Sequence, residues 1–231
     1  MTTPLVLVPG LLCDHRLFAA QIAALPTPTT RQVVELREET SIAAMAARVL
    51  AEAPPRFALA GLSMGGYVAI EVALTAPERV ARLALLATRA RADTPEERAR
   101  RGQVVELARR DGLDPVVDRL LPLFLGEAAQ TDARLVATVK AMAAAVGAEA
   151  FARQQAALIG RADRMAALPR IGCPTLVLCG REDALTPPER SREIAEAIAD
   201  ATLVVLPRCG HLATLEQPQA VTAQLRVWLA A

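Results

Sequence analysis

Short, largely apolar runs alternate along this chain with stretches whose apolar positions recur every three or four residues. The runs at 4–9, 31–36, 56–60, 80–87, 174–179 and 202–206 read as β-strands. The stretches at 41–53, 64–76, 187–199 and 218–229 read as helices, with Pro77 ending the second. Runs such as Leu5-Val6-Leu7-Val8 and Leu176-Val177-Leu178 are apolar at every position instead of every other one, which suits strands covered on both faces. Strands and helices in alternation then predict an α/β fold around a mostly parallel sheet.

Residues 89–168 depart from that rhythm and contain helical patterns only. Leu135, Val139, Met142 and Val146 are spaced four, three and four apart, as on one helix face. Both ends of the block join strands of the same sheet. The expected organisation is therefore a core made of 1–88 and 169–231 with an inserted helical cap or lid at 89–168, the alternative being an independent helical domain. Thr27-Pro28-Thr29-Thr30 reads as a turn-rich connection.

One segment carries chemistry. Leu59-Ala60-Gly61-Leu62-Ser63-Met64-Gly65-Gly66-Tyr67 places a serine in a G-x-S-x-G pattern between a strand run and a helix run. In such an elbow the chain turns so sharply that side chains two residues before or after the serine would collide, which makes Gly61 and Gly65 steric requirements. An ordinary helix-capping serine is the bland alternative. A serine hydroxyl needs a base to become a nucleophile, and a neutral imidazole is the usual one. The chain has two histidines. His15 lies near the start, whereas His211 follows the strand run 202–206, and Asp183 lies just beyond the strand run 174–179.

The order Ser63, Asp183, His211, each just after a strand, resembles the α/β-hydrolase superfamily. Gly180-Arg181-Glu182-Asp183-Ala184-Leu185-Thr186-Pro187 looks like the acid loop of that family, and Cys209-Gly210-His211-Leu212-Ala213-Thr214-Leu215-Glu216-Gln217-Pro218 like its histidine loop. The resemblance spans nearly the whole chain and implies a catalytic triad of Ser63, Asp183 and His211. Glu182 beside Asp183, and Asp93 after another strand, are the competing carboxylates. The resemblance also implies an oxyanion hole from the backbone N–H groups of Met64 and Leu11, the second on a loop where Pro9 stands in place of the family's usual histidine. The one or two strands that commonly open the family's sheet are expected to be missing.

The activity so implied is cleavage of a carboxylic ester of a small or medium, largely apolar substrate through an acyl-enzyme. Enol-lactone, thioester and carbon–carbon hydrolysis and perhydrolysis use similar triads and stay open, as do acyl transfer and a catalytically silent small-molecule-binding module.

Composition narrows the field further. The chain has 231 residues, 53% of them hydrophobic, and a formal net charge of +1, which suits one substantial core and no nucleic-acid partner. The basic stretch Arg98, Arg100, Arg101, Arg109, Arg110 is either a solvated helix face or a receiver for an anionic substrate or acyl carrier. Four cysteines without metal-ligand spacing suit reduced, packed thiols. The single lysine, Lys140, excludes a P-loop, and Gly61-Leu62-Ser63-Met64-Gly65-Gly66 is not the nucleotide pattern G-x-G-x-x-G. No metal or other cofactor is expected. Met1 to Leu12 lacks a positive flank and is too short to span a bilayer, so a cytoplasmic location without a membrane anchor is the expectation.

Overall fold

The computed structural model describes residues 3–25 and 30–230. Of the turn-rich connection expected at 27–30, residues 27–29 lie outside the described residues, and the carbonyl of Thr30 accepts the N–H of Leu5 at 2.8 Å.

Six strands form one all-parallel sheet: β1 (Leu5–Val8), β2 (Arg31–Val33), β3 (Phe57–Leu62), β4 (Val80–Leu86), β5 (Thr175–Gly180) and β6 (Ala201–Leu206), in the order β2-β1-β3-β4-β5-β6. The strands β1, β3 and β5 are buried at every position, which explains why their sequences are continuously apolar. β2 stops three residues short of its expected end. Val34 still donates its N–H to Leu7, after which the chain leaves the sheet with Val34 and Leu36 packed into the core as loop residues. β3 runs two residues past its expected end, because Gly61 and Leu62 pair with Leu85 and Leu86.

The helices α1 (Ala19–Ala24), α2 (Ile42–Glu52), α3 (Met64–Thr75), α4 (Pro95–Asp111), α5 (Asp114–Phe124), α6 (Ala133–Ile159), α7 (Pro188–Ala197), α8 (Ala213–Glu216) and α9 (Pro218–Ala230) fill the connections. α1 and the 3-10 turn His15–Phe18 before it are too short to be read from periodicity. Asp14 caps that turn by accepting the N–H of Arg16.

Between β4 and β5 the described structure is helical. α4 opens on a capping box, Thr94 Oγ1 accepting the N–H of Glu97 at 3.2 Å while the Glu97 carboxylate accepts the N–H of Thr94 at 2.8 Å. α6 is long and apolar enough by composition to cross a membrane, but Gly147 (φ 81°, ψ 162°) breaks it into two shorter helices. Neither half reaches the roughly 20 residues that a span requires. Leu107, Val116, Phe124, Met142 and Phe151 from these helices join the same buried cluster as the sheet.

Because all six strands run the same way, the loops after β1, β3, β5 and β6 leave the sheet from one edge. Leu11, Ser63, Asp183 and His211 sit on those four loops.

Candidate active site

Ser63 sits at the apex between β3 and α3 with φ 54° and ψ −111°, a conformation that L-residues rarely adopt. Such strain costs of order 1–3 kcal/mol and persists only where the surroundings enforce it. The enforcement is visible. Ser63 donates its N–H to Leu86 at 2.9 Å, and its carbonyl accepts the N–H of Gly66 at 2.9 Å and the hydroxyl of Thr88 at 2.8 Å. A Cβ on Gly61 would lie 2.1 Å from the carbonyl oxygen of Gly65, and one on Gly65 would lie 2.0 Å from that of Val8. Both glycines are thus required by close backbone approach, the collision expected from the sequence.

His211 is fully buried, and its Nδ1 lies 2.8 Å from Asp183 Oδ2. Asp183 is itself held by the N–H groups of Leu185 at 2.9 Å and Thr186 at 2.8 Å, and by the Thr186 hydroxyl at 2.7 Å. Burial alone would raise the Asp183 carboxyl, but the imidazole and the Thr186 donors together hold it below the ordinary aspartate value. An ionised carboxylate against Nδ1 places the imidazole proton there. Nε2 is then the basic nitrogen, and it is buried with no hydrogen-bond partner among the described residues. The ring of Phe124, at the end of α5, stacks on His211 with centroids 5.9 Å apart.

The structure thus brings Asp183 and His211 into direct contact. Ser63 makes no hydrogen bond to His211. It shares a cavity of about 40 Å3 with Leu11, Tyr67, Arg89, Arg101, Phe124, Leu158, Leu185 and Thr186. Thr186 and Phe124 are also the neighbours of the His211 ring, which ties the serine's cavity to the Asp183–His211 pair. The backbone N–H groups of Leu11 and Met64 donate to no hydrogen bond among the described residues. A larger cavity of about 150 Å3 shares only Tyr67 with this one and is lined by neither Ser63 nor His211.

The competing carboxylates are engaged elsewhere. Glu182 accepts the N–H of Glu127 at 3.1 Å. Asp93 is buried and bound by three guanidiniums: Arg89, Arg101 through Nε at 2.6 Å, and Arg161 through Nη2 at 2.6 Å. Of the basic stretch in α4, Arg98, Arg100, Arg109 and Arg110 are exposed, whereas Arg101 turns inward to Asp93 and Gln155.

Asp14, His15 and Glu35 form a group of three metal-ligand types within reach of one another. Arg16 pairs with Asp14, and Arg37 with Glu35 at 2.7 Å, so the two carboxylates already have cationic partners.

Three contributors escape a sequence reading. Arg89 and Phe124 lie in the block between β4 and β5 with no motif to mark them. Gln154 of α6 reaches back to the loop after β1, accepting the N–H of Leu12 at 3.1 Å. Thr186 was legible in principle, since a threonine three residues after an aspartate is a common local partner for it.

The chain matches the model of the alpha/beta hydrolase family over residues 5–225, and it belongs to that family. It is similar to a thermophilic esterase from Thermogutta terrifontis, at 32% identity and a TM-score of 0.90 over 99% of this chain and 89% of that one. It is likewise similar to the enol-lactonase from Burkholderia xenovorans, at 26% identity and a TM-score of 0.90 over 100% of this chain and 93% of that one. A pimeloyl-[acyl-carrier protein] methyl ester esterase from Pectobacterium carotovorum is 31% identical, the match covering 96% of this chain and 92% of the esterase. Family and fold make the protein a hydrolase.

Proposed function

We propose that the protein is a serine hydrolase that cleaves a carboxylic ester of a small or medium, largely apolar substrate through an acyl-enzyme. Ser63 Oγ attacks the carbonyl carbon, and His211 Nε2 takes the hydroxyl proton. Asp183 keeps the other imidazole proton on Nδ1 and stabilises the cation that forms. The backbone N–H groups of Leu11 and Met64 receive the oxyanion, Met64 with the added field of the α3 N-terminus. His211 then protonates the leaving alcohol, and water, activated by the same imidazole, releases the acid.

The observation that carries this reading is the pairing of a strained serine with a buried imidazole whose Nδ1 is bound and whose Nε2 is bare. Ester cleavage is further supported by the named activities of the similar esterases, and an enol-lactone is an internal ester. Asp183 is preferred to Asp93 as the acid because Asp93 is held by arginines.

Residues 89–168 serve as the cap. A cavity of about 40 Å3 holds a water or two but no acyl chain, so the cap must part to admit substrate. The four cysteines are free, which suits a cytoplasmic setting, and the triad needs no cofactor.

Hydrolysis of p-nitrophenyl esters of graded acyl length, with Ser63→Ala in parallel, tests the proposal. Serine-dependent turnover with an optimum at short or medium chains is expected. A folded protein inert to every ester would shift the assignment to thioesters, carbon–carbon bonds or simple binding.

A further inference from the structure

The cavity beside Ser63 is lined by Leu11, Phe124, Leu158 and Leu185 together with the hydroxyl-bearing Tyr67 and Thr186 and two arginines. Among the described residues its charged side chains are Arg89 and Arg101, both cations. They belong to a cluster in which three guanidiniums, Arg89, Arg101 and Arg161, face two carboxylates, Asp93 and Glu97, leaving one positive charge in excess. Burying such an excess costs free energy unless something offsets it.

The excess can be traced to particular atoms. Arg161 is almost wholly buried, spends both Nη atoms on Asp93, and stacks its guanidinium on the Tyr67 ring at 4.4 Å. Arg89 spends Nη1 on Glu97 at 2.7 Å, Nη2 on Asp93, and Nε on the Tyr67 hydroxyl at 3.3 Å. Arg101 spends Nε on Asp93 at 2.6 Å and Nη1 on Gln155 Oε1 at 2.9 Å. Its Nη2 donates to no group among the described residues and is not among the solvent-sealed atoms. The two anchored nitrogens fix the plane of the guanidinium, and Arg101 lines the serine's cavity, so its free nitrogen is held in a set orientation on a residue of that cavity.

We propose that Arg101 Nη2 is a binding point for a carboxylate carried by the substrate, making the preferred ester one whose acyl chain ends in a second, ionised carboxyl group. This rests on the esterase reading of the same cavity. The interior remains apolar enough for the methylenes between the two ends, through Leu11, Phe124, Leu158 and Leu185. A carboxylate at Arg101 supplies the missing negative charge and receives a charge-assisted hydrogen bond. A neutral chain of the same length leaves the guanidinium unpaired when the cap closes, which is the larger source of discrimination. Asp93 and Gln155 act as positioning residues for Arg101.

The test compares monomethyl glutarate with methyl valerate, esters of equal carbon chain length that differ in a carboxylate for a methyl, by titrating the acid released. The protein is expected to favour monomethyl glutarate at least tenfold in kcat/KM, with most of the difference in KM. In Arg101→Gln that preference is expected to fall at least tenfold, and in Arg101→Lys, which keeps the charge, to recover in part. Circular dichroism and the urea midpoint monitor folding of each variant. Ser63-dependent cleavage of both esters with no preference overturns the carboxylate site and leaves the esterase reading intact. Should neither ester be cleaved, the esterase reading fails, and calorimetry with glutarate decides the subsite: binding lost in Arg101→Gln supports it, and no binding to the unaltered protein overturns it.

Discussion

The Gln154 side chain holds the loop that presents Leu12: its Oε1 accepts the Leu12 N–H at 3.1 Å while its Nε2 donates to the carbonyl of Leu36 at 2.8 Å. Leu12 has φ 58°, so its backbone is held in a strained form next to the proposed oxyanion donor Leu11. Gln154 is buried and belongs to α6, which makes the helical block between β4 and β5 a structural support for this loop. Gln154→Leu is expected to leave buried groups unpaired at a cost of about 1–3 kcal/mol. It should lower kcat by about 10–100-fold, within the loss that follows removal of an oxyanion donor, with KM less affected. Gln154→Glu keeps an acceptor for Leu12 and is expected to retain more of kcat. Urea denaturation and steady-state kinetics on the two variants check this.

Strain at Ser63 sets stability against activity. Glycine tolerates φ 54° without the Cβ penalty, so Ser63→Gly is expected to be inactive yet more stable by about 1 kcal/mol. Ser63→Ala, which keeps the Cβ, should be inactive with little change in stability. A raised melting temperature for the glycine variant alone is the sign to look for.

Asp93 governs acid stability. Burial by itself would raise its carboxyl, but hydrogen bonds and charge from Arg101 and Arg161 hold it below the ordinary aspartate value. A carboxyl lowered on folding contributes stability that is complete above its unfolded pKa, about 3.9, and is lost as the pH falls through its folded value. Asp93→Asn is accordingly expected to cost about 3–5 kcal/mol at neutral pH, as for a buried pair with one partner removed. Urea midpoints of the two proteins should draw together as the pH falls below the unfolded value.

Glu216 ties the histidine loop to the end of α5. Its Oε2 accepts the N–H of Gly210, next to His211, at 2.8 Å and that of Gly126 at 2.9 Å. Burial outweighs these donors and raises its pKa. Glu216→Leu is expected to destabilise by about 1–3 kcal/mol and to lower kcat by loosening His211, whereas Glu216→Gln, which still offers an amide oxygen, should be milder. Parallel measurement of kcat and urea midpoint separates positioning from stability.

Much of this was legible in the chain. The strands β3 and β5 announce themselves because strands buried on both faces are almost continuously apolar, and the elbow does so because backbone contact at Gly61 and Gly65 admits no side chain. The end of β2 was not legible, since Val34 and Leu36 are as buried in a loop as they would be in a strand. Arg101 looked like its exposed neighbours in α4. What distinguishes it is Asp93 and Gln155, and Gln155 lies 54 residues away, a contact that no local pattern encodes. Gln154 was hidden for the same reason, its partner Leu12 being 142 residues distant.

The most direct test of Ser63 as the nucleophile is mass spectrometry of the protein quenched during turnover of a p-nitrophenyl ester. The expected result is a fraction of the protein heavier by one acyl group, with the added mass on the peptide containing Ser63 and absent from Ser63→Ala. Turnover by Ser63→Ala at the rate of the unaltered protein, or an acyl group found on another residue, would contradict it.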